Sequence, residues 1–240
     1  MRVLVVGAMI LSALGVASVE AAPTTYNAVV DFSKSVNTPT SQWSYRYNDT
    51  GARNNASYLL LPNYAPNTSS VVFMDSAGAV TTGFWSRATT VAGQGTLEVP
   101  HIGANQTGNT LTVGTLPNQL YWPKDYFYIH PAPGPGFAVL SFLVPKGGQA
   151  DVAFTFENLN YGCSDGIRWY VDLYENSSNS DTPQYNGSLN STQASPPFTS
   201  TSQSVTIKVK KDDRLNFLVD SGPTGDYCAD WTGAKVEIKI

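Results

Sequence analysis

The stretch Ile167-Arg168-Trp169-Tyr170-Val171-Asp172-Leu173-Tyr174 alternates apolar side chains with polar or amphipathic ones. A period of two residues is typical of a β-strand with one buried face. The core face of this strand then carries Trp169, Val171 and Leu173. We predict that the alternate side chains face solvent: Arg168, Tyr170, Asp172 and Tyr174. A register slip of one residue would bury two charges and expose a tryptophan, which is costly.

The same alternation recurs through the second half of the chain, between clusters of Gly, Pro, Asn, Asp and Ser. Its runs are Val152–Phe156, Val205–Val209, Leu215–Val219 and Lys235–Ile240, with a longer apolar run at Gly136–Val144. Shorter candidate strands precede them: Tyr26–Phe32, Trp43–Tyr47, Ser57–Leu61, Ser70–Met74, Gly83–Arg87 and Tyr126–His130. The polar stretch Glu175–Ser204 is expected to be a long functional loop or a mobile connection.

No segment shows a convincing helical period with caps, so the pattern predicts an all-β fold. Many short strands separated by turns are typical of a β-sandwich or barrel, and we expect a jelly-roll sandwich of two antiparallel sheets. The 240 residues allow one such domain, which we place at residues 22–240. Charged residues make up 13% of the chain and the net charge is −4, which argues against nucleic acid as a partner.

Residues 1–21 have the features of a secretory signal peptide. Arg2 precedes an apolar run from Val3 to Val16, and cleavage is expected after Ala21. The alternative is an uncleaved anchor, but the run is shorter than the roughly 20 residues of a spanning helix. We therefore expect a secreted, extracellular protein with no membrane contact after cleavage.

Export bears on the cysteines and on the Asn-x-Ser/Thr sequons. In an oxidising compartment the two cysteines, Cys163 and Cys228, are expected to form a disulfide. Of seven sequons, the best candidates for glycosylation are Asn176, Asn186 and Asn190, because they fall in a stretch that is typical of an accessible loop. The alternative is that the sequons are accidents of an Asn-, Ser- and Thr-rich composition.

Recognisable catalytic and metal motifs are missing from the sequence. It holds two histidines, and no Gly-x-Ser-x-Gly elbow, His-Glu-x-x-His or phosphate-binding loop. We expect no cofactor and no metal site, with one alternative at Asp220, Asp226 and Asp230. These aspartates surround Cys228, and such a cluster can hold a structural calcium, although solvated turn residues show the same pattern.

Several segments together resemble a known family. They are Asp31–Ser33, Trp43–Tyr47, Gly83–Trp85, Tyr128–Pro131, Pro135–Phe142 and Lys208–Phe217. They resemble the secreted β-sandwich domains of exosortase-sorted, PEP-CTERM-like bacterial proteins. The resemblance covers nearly all of residues 22–240, and it implies an architecture similar to that of jelly-roll carbohydrate-binding modules. It implies no defined activity, and this chain ends in an alternating segment instead of a sorting tail.

The aromatic residues suggest a function, since they are too numerous for one core. Tyr45 and Tyr47, for example, share one face of a predicted strand. A row of Arg, Tyr, Asp and Tyr suits a sugar, whose apolar face covers a ring while charged groups bind its hydroxyls. We expect ligand binding by Arg168, Tyr170, Asp172, Tyr174, Tyr128 and His130. The alternatives are that outward tyrosines only pack under a loop and that His130 is a packed structural histidine.

Three functions are compatible with these observations. The first is a non-catalytic protein that binds a polysaccharide or glycan, or a matrix or surface protein. The second is a small secreted polysaccharide-degrading glycosidase or lyase, for which the few acidic residues show no fixed catalytic pair. The third is a structural subunit of an extracellular coat or filament.

Overall fold

The computed structural model describes residues 22–66, 73–91, 95–114, 119–159, 166–190, 199–227 and 230–240. Within these ranges no helix has the length and apolar character needed to cross a membrane. The elements are a short 3-10 turn at Asn55–Ser57 and the following strands: β1 Thr25–Asn27, β2 Trp43–Asn48, β3 Leu59–Leu60, β4 Asn63–Pro66, β5 Phe73–Asp75, β6 Gly78–Val80, β7 Gly83–Ser86, β8 Thr89–Val91, β9 Gly95–Leu97, β10 His101–Ala104, β11 Leu111–Val113, β12 Leu120–Trp122, β13 Phe127–His130, β14 Phe137–Leu143, β15 Gly148–Asn158, β16 Ile167–Glu175, β17 Ser180–Leu189, β18 Ser200–Val209, β19 Arg214–Asp220 and β20 Thr232–Lys239.

Two large antiparallel sheets form the body of the molecule. The eight-stranded sheet has the order β18-β15-β20-β13-β10-β7-β4, with β1 paired to β20, and the six-stranded sheet has the order β17-β16-β19-β14-β2-β3. Their inner faces share one apolar core, in which Phe156 stacks on Trp169 with ring centroids 5.2 Å apart. The all-β sandwich expected from the alternating pattern is confirmed.

A further sheet adds a layer that the sequence did not predict. It has the order β12-β11-β5-β6 and packs on the outer face of the eight-stranded sheet. Their shared core brings together Phe73, Leu111, Leu120 and Trp122 from this small sheet with Tyr128 from β13. Strands β8 and β9 form a separate hairpin. Much of the aromatic surplus noted in the sequence is thus buried in a second core.

Tyr45 and Tyr47 were predicted to share one face of a strand, and the structure places both toward the main core. Tyr47 is partly buried against it, and Tyr45 is fully buried. Its ring contacts Phe32 at a centroid distance of 4.8 Å, and the backbone N–H of Ser33 donates to its hydroxyl at 3.0 Å. Burial raises the pKa of Tyr45, so the hydroxyl stays protonated.

Other differences from the prediction have local causes. The strand expected over Tyr26–Phe32 stops at Asn27, because the Asn27 side-chain oxygen accepts from the N–H groups of Val29 and Val30 and forms a turn. The stretch Glu175–Ser204 is not one long loop. It contains all of β17 and the first residues of β18, and polar side chains occupy β17 because it lies at the edge of its sheet.

The predicted disulfide cannot be compared with the structure, since Cys163 and Cys228 lie outside the described residues.

Candidate functional site

The outer face of the six-stranded sheet carries mainly polar side chains. Antiparallel register aligns its side chains in rows that run across the strands. One row holds Arg168, Asp220, Phe137 and Asn48. The next holds Tyr170, Leu218, Val139 and Arg46, and the third holds Asp172, Asn216, Ser141 and Ser44. This surface, which we call the polar face, is the candidate site.

Tyr170 lies between two ion pairs on the polar face. On one side, Arg168 Nη2 is 2.9 Å from Asp220 Oδ2, and the Tyr170 hydroxyl donates to the same oxygen at 3.3 Å. On the other side, Arg53 makes a bidentate ion pair with Asp172, with Nε 3.0 Å from Oδ2. The Arg53 guanidinium also lies over the Tyr170 ring, 4.3 Å from its centroid. The ring is therefore held in place by both ion pairs.

Residues 49–58, which we call the roof segment, cross part of the polar face. Tyr58 is buried in a small apolar cluster with Phe137, Val139 and Leu218. The backbone N–H of Asn55 donates to Asp181 Oδ2 at 3.0 Å, which joins the roof to the edge strand β17. The roof thus encloses polar groups that the alternating pattern alone would leave open to water.

Asp172 was predicted to be exposed to solvent, and this prediction is wrong. It lies on the expected side of β16, but its side chain is only 1% exposed because Arg53 from the roof covers it. Arg168, Tyr170 and Tyr174 lie on the same side and are partly exposed. The Arg168 side chain is 43% exposed despite its ion pair. Tyr174 donates from its hydroxyl to Asn179 Oδ1 at 3.1 Å.

Tyr128 and His130 were also expected to contact a ligand, but the structure places both away from the polar face. Both lie on β13 in the eight-stranded sheet and are buried, with exposures of 2% and 4%. The imidazole Nδ1 of His130 is 2.7 Å from the Pro131 carbonyl oxygen. Burial, and to a lesser degree repulsion from His101, lowers the pKa of His130 to about 3. His130 is therefore a neutral, packed histidine.

Polar atoms without partners mark the covered part of the polar face. Within the described residues, the Tyr58 hydroxyl, Asp181 Oδ1 and both side-chain amide atoms of Asn216 are buried without a hydrogen bond. Burial raises the pKa of Asp181, the Asn55 N–H opposes this, and the negative charge of Asp172 adds to it. Buried polar atoms are nearly always paired, so this concentration needs an explanation.

Sequence reasoning missed these residues. Ser44 and Arg46 on β2 alternate with Trp43 and Tyr45, so a period of two was visible in the sequence. The candidate binding residues on this strand were nevertheless sought among its aromatic side chains. The roof residues Arg53 and Tyr58 carry no periodic signal, and nothing in the sequence connects Arg53 with Asp172.

A second concavity lies beside β1 and β2. It has a volume of about 510 Å³ and is lined by residues that include Tyr26, Asp31, Val36, Gln42 and Trp43. The Trp43 indole N–H donates to Asp31 Oδ2 at 3.2 Å. Its volume falls in the range of small-molecule sites, so this groove is the alternative ligand site against which the polar face is tested.

The remaining sequence expectations concern glycans and calcium. The predicted acceptors Asn176, Asn186 and Asn190 are all exposed, and Asn186 faces Tyr170 across the β16–β17 pair. By contrast, the sequon residues Asn48 and Asn105 are buried. Among the described residues no three acidic, histidine or cysteine side chains come together as metal ligands, and Asp220 of the suggested calcium cluster instead binds Arg168.

No protein-family model matches this chain, and neither does any curated protein sequence. Among solved structures, it is similar to the C-terminal CBM6 of the laminarinase LamC from Zobellia galactanivorans at 17% identity, over 48% of this chain and 80% of that one, with a TM-score of 0.29. A CBM29-2 mutant complexed with mannohexaose matches at 10% identity over 74% and 92% of the two chains, also with a TM-score of 0.29.

An arabinose-bound GH51 α-L-arabinofuranosidase matches at 10% identity with a TM-score of 0.34. The match covers 78% of this chain and about a quarter, 24%, of the enzyme. All three TM-scores lie well below 0.5, so these likenesses carry no argument about function.

Proposed function

We propose that this chain is a secreted, non-catalytic protein that binds polysaccharide on the polar face of its six-stranded sheet. The observation that carries the proposal is the position of Tyr170 between the Arg53–Asp172 and Arg168–Asp220 ion pairs. The expected leader at residues 1–21 supports the extracellular setting.

The chemistry of this arrangement matches that of a sugar. A pyranose presents an apolar C–H surface, which covers an aromatic ring, and a rim of hydroxyl groups, which donate and accept hydrogen bonds. Tyr170 offers part of its ring, and the half-exposed Arg168 presents its guanidinium N–H donors at the protein surface. Charge-assisted hydrogen bonds are roughly twice as strong as neutral ones, so the guanidinium groups would contribute most of the polar recognition.

The ion pairs also fix the binding groups before a ligand arrives. Arg53 is held by Asp172 in two contacts, and Tyr170 is held by Arg53, Phe137 and Asp220. Ordering a long side chain on binding costs about 0.5–1.5 kcal/mol, and a side chain that is already ordered avoids this cost. The polar face therefore has the pre-organisation that a shallow sugar site needs.

One observation favours a second candidate, a polysaccharide-degrading enzyme. Tyr58 and Asp181 each keep a buried oxygen without a hydrogen-bond partner, and the charge of Asp172 acts on both. A carboxyl group with a raised pKa near an ion-paired carboxylate is the arrangement that supports acid–base chemistry. The roof segment, however, covers these groups, which is why we place binding first.

The experiment is glycan-array binding and titration calorimetry on residues 22–240, followed by a product assay on each polysaccharide that binds. Arg168→Lys keeps the charge but loses the planar fork, so we expect affinity to fall about 10-fold or more, the loss of one charged hydrogen bond. Tyr170→Ala should lower affinity several-fold through a lost ring contact of about 0.5–1.5 kcal/mol. Both variants need a measured melting temperature, since Tyr170 also packs on Phe137.

Tyr26→Ala in the second groove is the matched control, and it should bind as the wild type does. If Tyr26→Ala abolished binding while Arg168→Lys did not, the site would be the groove and not the polar face. Absence of binding to every glycan at millimolar concentration would overturn the proposal. Release of sugar products that stops in Asp181→Asn would replace it with the enzyme.

A further inference from the structure

Two arginines on the polar face are buried without an acidic partner in the part of the chain that the structure describes. Arg46 and Arg214 are 6% and 7% exposed, and within the described residues neither forms a salt bridge. A guanidinium group stays charged in a protein, so it cannot escape burial by losing its proton. Buried charges are normally paired or bound to an ion, which makes this an uncompensated double positive charge.

The two guanidinium groups converge on one spot. Arg46 Nε donates to Ser44 Oγ at 3.0 Å, and Arg214 Nη1 donates to Ser141 Oγ at 3.3 Å. Ser44 and Ser141 are directly opposed across the β2–β14 pair, and opposed side chains lie about 5 Å apart. Repulsion from Arg214 accordingly adds to burial in lowering the pKa of Arg46 to about 10.

Asn216 completes the arrangement. It lies next to Ser141 in the same row and is 0% exposed, and neither atom of its amide group has a hydrogen-bond partner among the described residues. A buried donor without an acceptor costs about 1–3 kcal/mol. The nearest carboxylate in the row, Asp172, is already neutralised by Arg53. The two guanidinium groups and the Asn216 amide therefore favour an acceptor with negative charge at this spot.

Cover over this spot comes from loops. Arg46 Nη1 reaches the roof through a long contact of 3.4 Å to Asn55 Oδ1, and Arg214 Nη2 donates to the Pro39 carbonyl oxygen. Pro39 and Asn55 lie in connecting segments outside the sheet ladder. An incoming group can therefore reach the arginines by displacing loop contacts, without breaking strand pairing.

We propose that Arg46, Arg214 and Asn216 form an anion site that takes the oxyanion, carboxylate or sulfate, of an acidic sugar. The guanidinium forks and the amide N–H₂ supply the donors for such a group, and the two serine hydroxyls lie between them. The assignment of an acidic sugar as the ligand rests on the proposed function, because it specifies which class of polysaccharide the polar face binds. The anion site itself does not depend on it.

The first experiment measures the melting temperature of residues 22–240 in acetate, sulfate and phosphate against chloride at constant ionic strength. A bound oxyanion should raise it saturably, by about 3–6 °C at ten times the dissociation constant. Asn216→Asp places a carboxylate beside both arginines, so it should raise the melting temperature in chloride and remove the response to added oxyanion. Lys208→Gln removes an exposed positive charge from the other sheet and should keep the response.

If Asn216→Asp fails to fold, Arg46→Lys and Arg214→Lys provide the second test, because each keeps the charge but loses the fork. Each should weaken the oxyanion response at least several-fold. The same melting temperature in all four salts, or an equal response in Lys208→Gln and the arginine variants, would overturn the anion site.

The second experiment compares the affinity for polygalacturonate, a sulfated galactan and a neutral glucan. We expect the wild type to prefer one acidic polymer at least 10-fold over the neutral one, and this preference should disappear in Arg214→Lys. The two acidic polymers separate carboxylate from sulfate as the group that is bound.

The outcomes separate the two proposals. A response to inorganic oxyanions without any glycan binding leaves the anion site standing and overturns the proposed function. If neutral and acidic polymers bind alike and oxyanions give no response, the proposed function stands and the anion site is overturned.

Discussion

The ion pair between Arg53 and Asp172 gives a quantitative test of how the polar face is held together. Asp172 is 1% exposed, whereas the Arg53 side chain is 26% exposed. Arg53→Met therefore leaves a carboxylate buried without its counter-charge. Asp172→Asn leaves an arginine that can turn to water, and the new amide keeps an acceptor oxygen for it. The two single substitutions should have unequal costs.

The burial of the two partners sets the size of each effect on the free energy of unfolding. Removing the counter-charge of a buried group costs about 3–5 kcal/mol, and this includes a contact of roughly 0.5–1 kcal/mol between Arg53 and the Tyr170 ring. Asp172→Asn should cost about 1–2 kcal/mol. The double variant leaves no buried charge at this pair, so it should be more stable than Arg53→Met by about 1–3 kcal/mol.

Urea unfolding at neutral pH measures all three variants, with equal m-values as the check that the unfolded states are comparable. Arg53→Met should also melt about 6–20 °C below the wild type, given 2–4 °C per kcal/mol for a domain of this size. If Arg53→Met cost less than Asp172→Asn, the reasoning from unequal burial would be refuted. The same would follow if the two single effects were simply additive in the double variant.

Three further predictions concern other parts of the molecule. Burial, with a smaller effect of His101, lowers the pKa of His130 to about 3. Between pH 6.5 and pH 3, therefore, only the unfolded chain binds a proton at His130. The free energy of unfolding should be unaffected above pH 6.5 and should fall toward pH 3 by up to about 1.4 kcal/mol per pH unit. Urea titrations from pH 7 to 4 should show a flatter slope in His130→Gln, and an unchanged slope would contradict this. A Cβ at Gly187 would lie 2.5 Å from Trp169 Cζ2, so Gly187→Ala should cost about 1–3 kcal/mol in the free energy of unfolding, and unaltered stability would show that the indole moves freely. The two cysteines should give no free thiol in the denatured, unreduced protein, and two titratable thiols would disprove the disulfide.

The sequence predicts the long strands well, but it misses several strands of three residues. The run Ile167–Glu175 becomes β16 with its apolar residues in the core, because nine residues are enough for a period of two to be unambiguous. Strands of three residues, such as β11 and β12, are too short to show a period. The small sheet that they build was therefore not predictable, and neither was the second core that takes up Tyr128.

The candidate site was only half visible for a different reason. The outward side of β16 follows from alternation, but the side chains beside it come from β19, β14 and β2, in an order that one sequence does not reveal. Arg53 reaches Asp172 across 119 residues of chain. Hydrophobic periodicity shows which side of a strand faces the core. It does not show whether the opposite, polar side is covered by a loop from a distant part of the chain.

Among the described residues, the buried polar atoms of the polar face that lack partners cost stability, and this is the physical argument for the face having a function. Replacing buried ion pairs and polar groups by well-packed apolar residues is often neutral or stabilising, so a sheet selected only for stability would carry apolar side chains under the roof. Here the row Asp172, Asn216, Ser141 and Ser44 is almost completely buried, and it is flanked by two buried arginines that form no salt bridge within the described residues. Local rules of this kind are broken mainly at functional sites. Asn216→Leu tests the argument without any ligand: it removes two unpartnered atoms and should leave the free energy of unfolding equal to or above that of the wild type, while the response to added oxyanion is lost. A large destabilisation would show that Asn216 is a structural residue with partners of its own, and the case for a ligand at this spot would fail with it.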